Sequence, residues 1–552
     1  MSIYRYSIFL FSFFLILSIS HVIGANYYVA TSYGSDSNNG TSINTPFKTI
    51  GKAASVMSSG DKCYIRQGRY HETITIDDLD GSSGSAIIFT NYNNERVVVD
   101  GTTPITSTWT QVGSSNIWRT KLSADIWQLF INWEEQVMAR WPNAKFSDDT
   151  VWDNDNYWAK GTIDDDENAY TNGTIIDDPY TNSAGTTIDL NATGFDLDET
   201  NKQAIAILNL GSFRTWSRLV TNHSGSTFNY ATVPNWKTKH HYYYLEGRKE
   251  FLDQEGEWWY DTYNNADSLY YYAANGVNPN RLDFRGKVQS YAFSITGSQY
   301  VQIKNLEFFA TTVYFSNGDN CLVYGCNFMY PSCSKRMLRT VDTEPEMTKF
   351  ASGSSGSSIR NCAFRNTDGT ALEMWGGTDT VDNCYFNKID YSVADNSSIM
   401  LTIRMNGTSN VFRKNTVHRT GGSATVMVGD AGLVEYNNLY DTGHLQSDGS
   451  MIQFMEGQQD GAICRYNWLH DTEKYGARFD HSGTADGVNG IMHHNLAWNC
   501  ESGGIMVKGD NHKIYNNTVL NSGSKNDIIV LQISSGDHAS TIVKNNAAER
   551  LQ

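Results

Sequence analysis

Asn361-Cys-Ala-Phe, Asn383-Cys-Tyr-Phe, Asn415-Thr-Val-His, Asn437-Asn-Leu-Tyr, Asn467-Trp-Leu-His, Asn495-Leu-Ala-Trp and Asn517-Thr-Val-Leu are seven copies of one phrase, an asparagine followed by a short apolar or β-branched run. Asn305-Leu-Glu-Phe precedes the series and Asn545-Asn-Ala-Ala follows it. From Asn361 the spacings are 22, 32, 22, 30, 28, 22 and 28 residues. A fixed phrase with a floor of 22 and a variable excess describes stacked coils that carry loops of different length. The asparagine suits the corner of each coil, because it tolerates the left-handed backbone conformation and its amide can hydrogen-bond along the stack. Its role is structural.

Outward from the repeat, composition agrees. The chain of 552 residues is rich in turn formers and carries only 8 Pro. Such a length holds a large core and exceeds one compact domain unless the chain is a solenoid. With 42 basic against 59 acidic residues the net charge is −17, which argues against nucleic-acid or anionic-membrane partners. Met1 to Ala25 reads as a secretory signal peptide, with Arg5 before an apolar run from Ile8 to Ile19 and small residues at the exit. The expected location is extracellular and the expected state a monomer. There are eight cysteines, and Cys326, Cys362 and Cys384 recur at one coil position. Strands stacked about 4.8 Å apart permit either disulfides or an inward thiol ladder there.

Residues 26–144 read as an N-terminal cap and the first coils, with a helix begun by Pro46 whose apolar face runs from Ile50 to Met57. An aromatic hinge spans 127–144. Residues 145–290 lack the phrase, crowd Asp, Trp and Tyr, and read as an inserted β-rich module. Coils resume near Tyr291 and run through 552. No capping pattern follows Asn545, so the solenoid is either part of a longer chain or closed by other means.

The repeat, the opening Tyr27-Tyr-Val with Gly34-Ser-Asp-Ser-Asn-Asn-Gly-Thr and Pro46-Phe-Lys-Thr-Ile, and the stretch Gly60-Asp-Lys-Cys-Tyr-Ile-Arg-Gln-Gly-Arg-Tyr resemble the right-handed parallel β-helix (pectin-lyase-like) family. Leu129-Phe-Ile-Asn-Trp with Met138-Ala-Arg-Trp-Pro-Asn resembles the β-helix glycoside hydrolases more than the pectate lyases. The resemblance covers about 26–144 and 291–552. It implies an all-β, right-handed parallel β-helix solenoid with an N-terminal capping helix, from a family consisting largely of secreted enzymes that act on polysaccharides. Function itself must be argued from the site.

After each phrase and its loop comes a second strand. Aligning these strands places Leu372, Ile403, Val426, Ile452, Ala477 and Ile505 inward, and the period of two then turns Glu373, Trp375, Arg404, Met427, Gln453, Met455, Arg478, Asp480, Met506 and Lys508 outward. The opposite choice would bury Arg404, Arg478, Asp480 and Lys508 in an apolar core at prohibitive cost. Loops add His444 and Asp448 before one strand, Glu456 after it, and Lys474 and His481 on the next coil. The expected catalytic set is Asp480, Asp448, Glu456, Arg478 and His481. The expected substrate-binding set is Arg404, His444, Gln453, Lys474, Lys508 and, as a stacking platform, Trp375.

Two chemistries fit such a face. Glycoside hydrolysis needs two carboxyls flanking the bond, about 5 Å apart for retention or 6.5–9.5 Å for inversion, and carboxyls on neighbouring coils span that range. Lyase β-elimination on a uronate polymer needs a neutralising cation and a base, which Lys474, Arg478, His481 and Lys508 supply. A non-catalytic glycan-binding solenoid is the third reading. No cofactor is expected: the His pairs lack zinc-site spacing, and the scattered Asp form no dense calcium motif on the coils. The expected partner is a polysaccharide.

Overall fold

The structure, a computed structural model, describes residues 24–161, 173–211, 213–233, 238–263, 267–396, 399–481, 487–523, 527–530 and 538–551. The leader expected over 1–25 lies outside the described residues up to 23. Among the described residues no helix is long and apolar enough to cross a membrane.

Each coil contributes one strand to each of three parallel sheets, here sheets I, II and III, with 13, 12 and 11 strands among the described residues. One coil runs Ser358–Arg360, Ala363–Arg365 and Leu372–Met374. The next runs Thr380–Asp382, Tyr385–Ile389 and Leu401–Met405, each pairing in parallel with the strand before it. The strands are short because the chain must turn between sheets. Between sheets I and II a single left-handed residue suffices, as at Asn361 (φ 54°) and Asn383 (φ 55°).

The repeat carries a phase shift that the phrase conceals. Up to Asn383 the asparagine is the left-handed corner and the next residue, Cys326, Cys362 or Cys384, points into the core. From Asn415 onward the asparagine has moved one place inward. The corner passes to Lys414, Tyr436, Tyr466 and His494, with φ between 55° and 57°. The inward asparagines form a continuous ladder: side-chain Nδ2 of Asn437, Asn467 and Asn495 donates to Oδ1 of Asn467, Asn495 and Asn517 at 2.9–3.0 Å. Each Oδ1 also accepts the backbone N–H of the asparagine one coil earlier, and each Nδ2 also reaches a carbonyl of the preceding coil. The cysteine positions show which reading of the thiols holds: all eight cysteines are free and buried. Burial pushes the thiols of Cys464 and Cys500 up to about 12.

Inside the tube, like residues stack. Phe308, Phe328, Phe364 and Phe386 lie face to face at 4.6–5.0 Å on consecutive coils. Each such fully buried side chain contributes about 1.5–3 kcal/mol. The N-terminal end is covered by a short helix, Ile50–Ala54, whose Ile50, Ala53 and Ala54 join the core. It begins at Ile50 rather than Pro46, because Thr49 is the N-cap and its Oγ1 accepts from the Lys52 N–H at 3.1 Å. The Glu72 carboxylate accepts the first helical N–H groups, those of Ile50 and Gly51, at 2.9 Å.

The inserted module begins earlier than the sequence suggests. Val97–Asp100 is still a sheet II strand and pairs with Glu307–Phe309. Thr102–Pro104 already belongs to another sheet, where it pairs antiparallel with Phe284–Lys287. The solenoid resumes at Tyr291–Thr296, which pairs with Ile74–Asp77. Residues 101–144 are therefore part of the insertion and not of the first coils, and the expected boundary at 145 falls inside it. Strands such as Leu129–Ile131 alternate and bury like coil strands, so only pairing reveals their sheet. The module has its own antiparallel sheets and its own core around Trp216, Tyr243, Trp258 and Leu269. It docks on the turns between sheets II and III. Arg336 bonds Glu246 at 2.6 Å and Asp368 at 3.1 Å, the Ser217 N–H donates to Asp395, and Asn209 Nδ2 donates to the Leu445 carbonyl at 2.6 Å.

Candidate functional site on sheet III

The register expected for sheet III is the one observed. Leu372, Ile403, Val426, Ile452, Ala477 and Ile505 pair in one inward column and none is exposed. One residue further on, Lys349, Glu373, Arg404 and Met427 pair in an outward column, continued by Gln453, Arg478 and Met506.

Arg478 organises the lower part of that column. Its Nε donates to Gln453 Oε1 at 2.8 Å, Nη1 to Asp448 Oδ1 at 2.7 Å, and Nη2 reaches Asp480 Oδ2 at 3.1 Å. Lys508 Nζ sits 2.6 Å from Asp480 Oδ1, and Gln453 Nε2 donates to the other Asp480 oxygen. Asp448, Gln453, Arg478, Asp480 and Lys508 thus form one network built from three successive coils. Because both carboxylates bind one planar guanidinium, their bonded oxygens lie no more than roughly 8 Å apart. The backbone holds the arrangement: the Asp480 N–H pairs with the Phe454 carbonyl, and Gln459 Nε2 donates to the Asp480 carbonyl at 2.7 Å.

The upper part centres on Glu373, which stood outside the expected site set. Glu373 is 1% exposed, 2.8 Å from Lys349 Nζ and 3.7 Å from Arg404 Nη1, and it accepts from Trp375 Nε1 at 2.9 Å. Arg404 also lies 4.5 Å from the Trp375 ring centroid. The signal was in the register: a carboxylate facing outward between Lys349 and Arg404 is their shared counter-ion.

The other expected residues divide. Glu456 opens the 3-10 turn Glu456–Gln458 just beyond the Gln453 strand, and His481 is buried next to Asp480, with its backbone N–H on Asp480 Oδ1. Two residues go elsewhere. His444 joins Asp441, Arg419 and His418 at the turn leaving sheet II, with His444 Nε2 2.8 Å from Asp441. Burial raises the Asp441 carboxyl, but His444 and Arg419 outweigh it and hold the group well below the carboxylate range. Lys474 is 2% exposed and its stem packs over Gly443. The face is also less open than a bare groove. Gln453 is fully buried and Arg478 is 6% exposed, while Trp375 remains 38% exposed and the Asp448 side chain 35%. Among the described residues no cluster of His, Cys, Asp and Glu is arranged to hold a metal.

Comparison with known proteins agrees with the architecture. A family profile described as "Right handed beta helix region" matches residues 350–521. An uncharacterized Bacillus subtilis (strain 168) protein, YwoF, is 40% identical over 76 residues, a match that spans 14% of this chain and 16% of that protein. A solved structure titled "Glycoside hydrolase" is similar over 95% of this chain and 97% of its own, with a TM-score of 0.58 and 12% identity. Another, titled "The complex structure of XylC with xylose", covers 90% of this chain and 69% of its own at a TM-score of 0.46 and 13% identity. The fold is a right-handed parallel β-helix.

Proposed function

We propose that this β-helix is a secreted carbohydrate-active enzyme, a glycoside hydrolase acting on an extracellular polysaccharide at the outer face of sheet III. The observation that carries the reading is the Arg478 clamp, which brings Asp448 and Asp480 into the separation of about 5–9.5 Å that glycosidic hydrolysis uses. Asp480, ion-paired to both Arg478 and Lys508, is the ionised partner that attacks the anomeric carbon or takes the proton from a water. Asp448, on the more exposed side, is placed to protonate the leaving oxygen once substrate draws it from Arg478. Trp375 offers its open face to a sugar ring.

Charge balance favours hydrolysis over β-elimination. Lys349, Arg404, Arg478 and Lys508 are matched by Glu373, Asp448 and Asp480, which leaves little surplus positive charge to neutralise a uronate. The leader-like run over 1–25 is the basis for placing the protein outside the cell.

The test is a panel of neutral and acidic polysaccharides, followed by new reducing ends and by ultraviolet absorbance of unsaturated products. Reducing ends without absorbance are expected. Absorbance with reducing ends would make the protein a lyase, and silence across the panel would make it a binding solenoid. Asp480→Asn should lower turnover on the order of 10³-fold with the fold intact; near-native turnover would remove Asp480 from the mechanism.

A further inference from the structure

A second concentration of polar groups lies away from sheet III, between the module and the turns that leave sheet II. There a cavity of about 530 Å³ is walled by Trp152 and Tyr271 from the module and by Tyr330 and Tyr391 from the coils. Glu134 and Glu135, neighbours on the strand Glu134–Gln136, both line it. Tyr330 OH donates to Glu134 Oε2 at 3.3 Å. Gln128 Nε2 and Tyr391 OH donate to Glu135 at 2.6 and 3.1 Å, both on Oε1. Among the described residues no hydrogen bond reaches Glu135 Oε2.

An adjoining cavity of about 390 Å³ shares Glu134, Tyr330 and Asn366 and continues past Trp133 along the outer face of sheet II. Behind Glu135 a small chamber holds Gln128, 2% exposed, whose Oε1 has no hydrogen-bond partner. A buried amide oxygen left open at a cavity is costly unless something fills its valence.

Burial pushes the Glu135 carboxyl up to about 8; Asp368 adds to the shift, and Gln128, Tyr391 and Lys287 oppose it. At neutral pH the group is therefore protonated. With Oε1 occupied as an acceptor, the proton sits on Oε2 as a donor to the cavity. The cations nearby are already matched: Lys388 by Asp149 at 2.6 Å, Arg96 by Glu307 at 2.8 Å and Arg69 by Asp100 at 3.0 Å. Aromatic walls, donors and acceptors side by side, and no surplus charge describe a site for a ring with apolar C–H faces and many hydroxyls.

We infer that this two-chambered groove binds a neutral oligosaccharide, its sugar faces against the aromatic walls and a sugar oxygen accepting a hydrogen bond from Glu135. The site is separate from Asp480: Tyr330 and Lys388 belong to sheet II and its turns, and Asp480 follows a sheet III strand. It gives the enzyme a second hold on its polymer, independent of the chemistry proposed for sheet III.

The experiment is calorimetric titration of the full chain carrying Asp480→Asn, so that probes are not consumed. The probes are cellotetraose, xylotetraose, mannotetraose and laminaritetraose, with tetragalacturonate as the acidic control. At least one neutral tetrasaccharide should bind and the acidic control should not. Ser147→Trp fills the cavity from an exposed lining position and should weaken that binding at least about tenfold. In a chain with native Asp480, Ser147→Trp should keep its turnover on short soluble substrates, so loss of the groove and loss of the sheet III chemistry are read separately. Raising the pH from about 6 to about 9 should weaken binding as Glu135 ionises. Glu135→Gln, whose amide still donates, should bind without that pH dependence. The charged and titratable groups facing Glu135 are Glu134, Lys287, Tyr330, Cys333, Asp368 and Tyr391, and this variant separates their titration from its own. Failure of every neutral probe, binding of the acidic probe alone, equal binding by Ser147→Trp, or an unchanged pH profile in Glu135→Gln would overturn the inference.

Discussion

Asn467 and Asn361 occupy the same phrase in the sequence and different jobs in the fold, so removing each amide should cost very different amounts. Asn467 is fully buried. Its Oδ1 accepts from the backbone and the side chain of Asn437 at 3.1 and 2.9 Å, and its Nδ2 donates to the Val434 carbonyl and to Asn495 Oδ1, both at 3.0 Å. Asn467→Ala deletes four hydrogen bonds and strands a buried N–H, an amide NH₂ and a carbonyl. At about 1 kcal/mol per bond, with a further desolvation cost for the stranded groups, the loss is about 3–5 kcal/mol. Asn361 is exposed and sits at φ 54°. Asn361→Ala pays mainly the left-handed penalty, about 1 kcal/mol, and Asn361→Gly pays almost nothing. Urea unfolding followed by circular dichroism, with the slope checked for constancy, gives both numbers. Equal losses for Asn467→Ala and Asn361→Ala, within about 0.5 kcal/mol, would refute the division into ladder and corner.

Other expectations follow from the same coordinates. Thiol titration of the native protein should find the eight cysteines unreactive, and all should react after unfolding in denaturant without reductant; fewer thiols on unfolding would mean disulfides. Trp375→Ala should raise KM about tenfold with kcat little changed, since the ring is an open stacking face. Asp390 is buried and accepts from Thr402, Gly421 and Gly422, and burial raises its carboxyl to about 7. The folded state therefore holds that proton more tightly than the unfolded chain. The resulting stability is complete below about pH 4 and is lost as pH rises through about 7. The difference in Tm between the native chain and Asp390→Asn should shift across that window, and a difference constant from pH 4 to 8 would contradict it.

The face of sheet III was legible because two periods combined there. The asparagine phrase aligned the coils, and alternation within each strand separated Ile403 and Val426 from Arg404 and Met427. The phrase itself concealed a one-residue slip, since Cys384 and Asn415 share a ladder position while Asn383 and Lys414 share the corner; counting from asparagine to asparagine crossed that slip unseen. His444 was drawn to the wrong cluster because loop residues carry no period, and its partners Asp441 and Arg419 lie across a turn. The module boundary failed for a related reason: pairing between Thr102–Pro104 and Phe284–Lys287 leaves no trace in either segment alone. The groove at Glu135 had no sequence signature. Its walls come from residues near 134, 152, 271, 330 and 391, remote segments that meet only because the module docks where it does.

That docking changes what kind of object the solenoid is. A stack of coils is ordinarily one-dimensional: each repeat knows only its neighbours, and the array can fray from an end or open in the middle. Here the module grips coil turns at Arg336, Asp368, Asp395 and Leu445. It acts as a splint across several coils, and parting any two of them beneath it requires breaking its hold as well. The stretch from about 336 to 446 should therefore open as a unit, leaving local opening to the coils that follow. Asp448 stands at the edge of the splinted stretch and Asp480 beyond it, so the two halves of the Arg478 clamp ride on parts of the coil with unequal freedom to move.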